Sequence, residues 1–274
     1  MAVAPQYISD SWRAELDLRF EHRLGKTVLA HRKHVGPLVV QRPFYPEGAP
    51  CHVYLVHPPG GIAGGDTVSL NARAGVGAHA VITTPAATKF YRSLPDRRAL
   101  LQQALLVDDD AAIEWLPQDT IVFRDADATM TTVARLARGA RFVGWEVTCY
   151  GRPACGEVFD RGRIQQNFEV WIDDRPTLLD HLRIDGAAAM MNSAWGLSGQ
   201  CVVGTLFAYP ATSDELDAAR ETDGVACTLV DGVLACRALA ADAADVKRQF
   251  LNLWRRLRPR IIGRQAAQPR IWET

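Results

Sequence analysis

Residues 66–84 read DTVSLNARAGVGAHAVITT. Val68, Leu70, Ala72 and Ala74 alternate with Thr67, Ser69, Asn71 and Arg73, and such a set shares one face only on an extended backbone. A helix would scatter it around its circumference. Gly75-Val76-Gly77 interrupts the run, and AHAVITT then begins a second strand, which Pro85 stops. The same period continues on both sides. HVYLV at residues 52–56 is a short buried run before Pro58-Pro59, while ALLQQALLV and AAIEWLP flank the polar turn Asp108-Asp109-Asp110. FEVWI and TLLDHLRI flank Asp173-Asp174-Arg175-Pro176, which reads as a hairpin. Strand and turn signals recur about every ten residues, as in large all-β folds. The expectation is one mainly β domain over residues 1–274.

Two helices are expected. Thr212-x-x-Glu215 is a capping box opening SDELDAAR. From about Asp242 to Leu257, Val246, Phe250, Leu253, Trp254 and Leu257 repeat at spacings of three and four, giving one apolar stripe that Pro259 should end. Between positions 247 and 270 stand eight basic residues and no acidic one. A solvated face suited to the helix dipole is the first reading of that run, and a docking surface for an acidic partner the second.

Composition excludes several classes. Lys plus Arg and Asp plus Glu are both 31, so bulk charge selects neither nucleic acid nor an acidic membrane. MAVAPQYISDSW lacks the basic and apolar regions of a secretory signal, and no apolar run approaches the ~18–20 residues that span a bilayer. A cytoplasmic protein is expected. The six cysteines form no C-x-x-C pair or zinc-ribbon spacing and read as free, mostly buried thiols.

The glycine-rich HPPGGIAGGDTVSL at residues 57–70 is not a phosphate loop. It lacks Gly-Lys-Ser/Thr before a helix, its glycines do not fit G-x-G-x-x-G, and Asp66 would repel phosphate. Paired glycines permit a tight turn or close backbone approach, with Asp66 either capping a hairpin turn or serving as a hard oxygen ligand at the mouth of a passage. His57, just before the loop, is the one histidine that reads as a candidate ligand, with ordinary packing its first reading. TTPAATKFYRS at residues 83–93 offers Lys89, Tyr91 and Arg92 for hydrogen bonding but no catalytic base. Glu114, Glu146, Glu169 and Asp180 interrupt apolar runs. Most of them should face solvent, and any that point inward require a cation or a basic partner.

HPPGGIAGGD, TTPAATKFYRS, IEWLPQDTIVF (residues 113–123), GRPACGEVF (151–159) and the closing LRPR…PRIW-x-T resemble, in order, the pattern of the UreD (UreH) family of urease accessory proteins. WRAELDLRF at residues 12–20 and KTVLAHRKHVGPLVVQRPFYPEG at residues 26–48 are similar to the same family. The resemblance implies a mainly β fold with strands wound in a helical, layered arrangement and a pair of helices. It implies a non-catalytic scaffold that binds apo-urease and recruits UreF, and through it the GTPase UreG. Nickel would be in transit, with no stably bound cofactor. On this resemblance Asp66, Glu146 and Asp180 are candidates for the nickel route. Lys89, Tyr91, Arg92, Trp254, Arg255, Arg270 and Trp272 are candidates for partner contacts, with core packing equally open for the two tryptophans. The competing expectation is a β-rich metal-dependent or acid–base hydrolase using Asp66 with a distant carboxylate or histidine.

Overall fold

A computed structural model describes residues 11–273. The chain opens with a hairpin of β1 (Arg13–Arg23) and β2 (Lys26–Val35), then crosses through β3 (Val39–Val40) to β4 (Cys51–Val56). From there it winds, each turn laying one strand in each of two facing sheets. β5 (Thr67–Ala74), β8 (Ala99–Val107), β11 (Asp127–Leu136) and β14 (Arg163–Ile172) stack in parallel in the first sheet. β4, β6 (His79–Thr83), β9 (Ala112–Trp115) and β12 (Arg141–Arg152) stack in parallel in the second. Short strands β7 (Thr88–Phe90), β10 (Thr120–Val122) and β13 (Glu157–Val158) pair at its end. The hairpin partner β15 (Arg175–Asp185) closes the first sheet as a seventh strand. β16 (Val202–Tyr209), β17 (Val225–Val230) and β18 (Val233–Ala240) extend the second sheet antiparallel. The result is a β-helix-like solenoid.

Alternation fixes what each face does. Val68, Leu70, Ala72 and Ala74 are buried between the sheets, together with Phe20, Ile82, Trp115, Phe142 and Phe207. The strands of the second sheet are apolar on both faces, and Val143, Trp145, Leu206 and Leu234 form a second core beneath the helices. α1 (Ser213–Arg220) begins with the full Thr212/Glu215 capping box. α2 (Ala243–Ile261) is capped by the Asp242 carboxylate on the Ala244 N–H at 2.9 Å. Its stripe Val246, Phe250, Leu253, Trp254 and Leu257 is fully buried against the second sheet.

Two expectations change. Pro259 lies inside α2 rather than ending it. The ring forfeits one hydrogen bond, but Ile261 and Ile262 are buried and hold the last turn to the core. Asp66 does not close a hairpin, because β4 and β5 lie in different sheets and β5 pairs only in parallel, with β1 and β8.

Candidate functional site

The two recognisable loops pack on each other. Ile62 bridges to Phe90: its N–H donates to the Lys89 carbonyl at 2.7 Å, and its carbonyl accepts from the Tyr91 N–H at 3.0 Å. That approach explains Gly61, where an added Cβ would lie 2.5 Å from the Tyr91 ring and 2.9 Å from the Lys89 carbonyl oxygen. Tyr91 in turn meets Phe123 edge-on at 5.2 Å. Gly61→Ala should therefore cost ~1–3 kcal/mol through overpacking, read as a lowered melting temperature with the fold retained. Unchanged melting would show that the loop gives way freely. The Asp66 carboxylate accepts from the backbone N–H of Trp12 and of Ala63, each at 2.9 Å, so it caps the loop and anchors the start of β1.

Behind this loop a cavity of about 310 Å³ enters the space between the sheets. Half-buried His57 and Lys89 line its outer part, and burial lowers the His57 pKa despite the nearby Asp66 charge. Leu55, Val68 and Leu101 line its wall; Gln103, Trp115 and Glu146 line its buried end. The Trp115 indole N–H is buried there without a well-formed hydrogen bond.

The four carboxylates within apolar runs separate by partner. Glu114 is fully buried, facing α2, with the guanidinium of Arg258 at 2.9 Å and His79 Nε2 at 2.8 Å. Burial raises its pKa, but His79 and Arg258 outweigh that and the net shift is down. Glu169 is held by His181 at 3.0 Å and by the Trp171 N–H at 2.9 Å. Asp180 pairs with Arg237. Glu146, on the inner face of β12, has no basic partner among the described residues. It accepts from the Thr132 hydroxyl, and Gln103 Nε2 lies at 3.5 Å. Burial lifts its pKa to about 7; Thr132 opposes the shift, Asp180 adds to it, and the Trp115 N–H again opposes it. The expectation that most of these groups face solvent is thus reversed for Glu114 and Glu146.

Glu146 also begins a polar seam. Cross-strand register places Thr205 beside Glu146, and Arg237 beside Thr205. Opposite them Gln103, Thr132 and Phe168 adjoin along the first sheet, ending at Asp180. The Thr205 hydroxyl lies 3.5 Å from the Asp180 carboxylate. Thr205, Asp180 and Arg237 line a second cavity of about 320 Å³ at the other end of the seam. The carboxylates are spread out: no group of three or more His, Cys, Asp or Glu with metal-holding geometry occurs among the described residues. Glu146 is the one acidic side chain among the described residues lining the first cavity, so no second carboxylate stands beside it there.

The candidate partner residues fall into distinct environments. Lys89 and Tyr91 are half-buried at the glycine loop, while Arg92 is exposed. Trp254 has no exposed surface, and its indole N–H donates to Glu114 at 2.8 Å. Trp272 packs 5.5 Å from Trp145 and 6.0 Å from Trp254, its indole N–H donating to Thr83 Oγ1 at 2.9 Å. Arg255 and Arg270 are exposed, with Arg255 reaching Gln268 at 2.8 Å. Much of the basic run is spent on ion pairs within the molecule, Lys247 on Asp119 and Arg256 on Glu221 at the surface and Arg258 on Glu47 and Glu114 in the interior.

Sequence reasoning missed the cluster around Arg258. Its guanidinium is fully buried between Glu47 and Glu114, with His52 on Glu47 at 2.8 Å. The one sequence signal was Glu114 within an apolar run, which requires a partner but does not name it. The family comparison covers these same residues. The sequence model described as UreD urease accessory protein matches residues 13–273. A Citrobacter koseri protein described as urease accessory protein UreD is 42% identical, over 99% of this chain and 95% of its own. Proteins of the same description from Klebsiella aerogenes and Pseudomonas entomophila are 42% and 40% identical, over 97% and 99% of this chain and 98% of their own lengths. With the match running from the first strand through the C-terminal Trp272, the chain belongs to the UreD family of urease accessory proteins, and its role lies in urease maturation.

Proposed function

We propose that this chain is a non-catalytic scaffold and nickel conduit: it binds apo-urease, recruits UreF and through it UreG, and lets nickel pass between its two sheets. The observation that carries the reading is Glu146. A carboxylate buried without a basic partner is costly, and a transiting divalent cation would relieve that cost. Its cavity and the polar seam toward Asp180 place hard oxygen groups in sequence without a cage, which favours weak binding and release over storage. Asp66 and His57 would stand near the outer end, where the Asp66 oxygens already hold two backbone N–H groups and have lone pairs left for a cation. Asp180 would have to exchange Arg237 for the metal, making it the slowest post. Lys89, Tyr91, Arg92, Arg255 and Arg270 would contribute to partner contacts, Trp254 and Trp272 chiefly by fixing α2 and the tail.

The test is apo-urease co-expressed with its accessory proteins and with this chain, its Asp66/Glu146/Asp180→Ala variant, or neither. The expected result is nickel content and ureolysis close to those without the chain, while the variant still co-purifies with urease. Full nickel loading by a variant that still binds would remove the conduit and leave the scaffold.

A further inference from the structure

Cys227 and Cys236 face each other across the β17–β18 hairpin. The turn between these strands is Asp231-Gly232, with φ of 44° and 80°, the two positive values of a type I′ turn. Val230 and Val233 flank it and are closed by the turn's own hydrogen bond, so they form a hydrogen-bonded pair. Pairs alternate along an antiparallel ladder. Leu229/Leu234 is then non-hydrogen-bonded, Thr228/Ala235 hydrogen-bonded, and Cys227/Cys236 non-hydrogen-bonded. At such a site the Cα atoms stand about 4.5 Å apart with side chains on one face. Disulfides span roughly 4.4–6.8 Å, so the two sulfurs can join without moving the backbone.

The two thiols also differ as nucleophile and resolver must. Cys227 is half-buried on the edge strand and Cys236 is buried behind it, both toward the core beneath the helices. Cys236 beside it and the positive charge of Arg220 favour thiolate at Cys227, whose Sγ lies 3.9 Å from the Val225 carbonyl oxygen. Cys236 correspondingly keeps its proton. The other neighbouring pair is arranged differently. There burial dominates: it raises Cys201 and pushes Cys149 up to about 12.

We propose that Cys227 and Cys236 are a redox-active dithiol that exchanges with low-molecular-weight disulfides. Cys227 thiolate attacks one sulfur of the small disulfide; that S–S bond breaks, and one thiolate leaves and is protonated. The Cys236 sulfur then attacks Cys227 in the mixed disulfide, and the second small thiol departs with the Cys236 proton. Two protein thiols become one disulfide, and one small disulfide becomes two thiols. The bond pins the edge strand β17 to β18, whose Arg237 holds Asp180 at the second cavity.

The test uses the full chain carrying Cys155→Ser, which removes an exposed competing thiol. It is incubated with glutathione disulfide, its remaining thiols are alkylated under denaturing conditions, and its peptides are mapped by mass spectrometry. A linked Cys227–Cys236 peptide is expected, with Cys51, Cys149 and Cys201 alkylated. In Cys236→Ser the reaction should stop with glutathione held on Cys227. In Cys227→Ser no intrachain disulfide should form. Recovery of both thiols alkylated, a Cys149–Cys201 link in their place, or no adduct in Cys236→Ser would each overturn the proposal.

Discussion

Arg258→Met should lower the melting temperature by on the order of 10 °C, the largest stability loss expected of any single substitution considered for this chain. The guanidinium is fully buried and contacts Glu114 at 2.9 Å and Glu47 at 2.7 Å. Removing it leaves two carboxylates in a nearly dry site with His79, His52 and the Trp254 indole N–H beside them but no permanent cation, a situation that costs ~3–5 kcal/mol. The acid limb of the stability curve should change as well. Glu47 has its pKa lowered to about 2 from the usual 4.5, because the His52 and Arg258 contacts outweigh burial. A depressed carboxylate contributes stability above its unfolded pKa and loses it as pH falls through the folded one, here between about 4.5 and 2. Wild-type protein should therefore lose up to ~3 kcal/mol from this group across that window, and Arg258→Met much less. Adding Glu47→Gln and Glu114→Gln to Arg258→Met should recover part of the loss, since the neutral set no longer strands charge. Thermal melts between pH 3 and 8 test all three. A variant melting within about 2 °C of wild type would show that the apolar stripe of α2 alone seats the helix.

That cluster also marks the limit of what the sequence discloses. Period-two runs located β5, β8 and the β14–β15 hairpin, because alternation is local and each inward residue had to be apolar. The apolar stripe located α2 for the same reason, at a period of 3.6. The winding was not legible. Successive turns place Thr67 beside Leu100, Ala99 beside Ala128 and Asp127 beside Arg163, so the repeat varies in length and no internal periodicity surfaces. The polar-turn segment between ALLQQALLV and AAIEWLP looks like a hairpin connection from either end, yet its flanking strands β8 and β9 belong to different sheets. Glu114 and Arg258 are 144 residues apart, and no local rule pairs them. The rule that inward carboxylates require partners was sound but blind to which would be left without one. Only the strand registers separate Glu114, supplied with Arg258, from Glu146, supplied with hydroxyl and amide groups.

Glu146→Gln should stabilise the chain and disable it. Burial pushes the carboxyl up to about 7 in the fold from the usual 4.5. A raised carboxyl pKa works against the folded state as pH rises. The unfolded chain gives up this proton from about 4.5 upward, while the folded chain keeps it until about 7, so stability falls across that window and is level above it. The cost at pH 8 is ~3 kcal/mol. Gln is close in shape, remains neutral and still accepts from Thr132, so at pH 8 the variant should melt ~5–10 °C above wild type. Near pH 4.5 the two curves should converge. Nickel delivery should move the opposite way, because an amide is a poor ligand for a divalent cation in an apolar passage, and urease matured with the variant should hold far less nickel. Glu146→Asp should keep part of the delivery, since the charge is retained with shorter reach. A residue kept only for packing cannot produce this pair of results, because its improvement in stability would carry no functional loss. If Glu146→Gln stabilises as expected and urease is loaded in full, the buried carboxylate is an uncorrected cost of the fold and the nickel route must lie elsewhere. If it destabilises at pH 8, Glu146 is ionised in the fold through contacts with Thr132, Gln103 and Trp115 stronger than their geometry indicates.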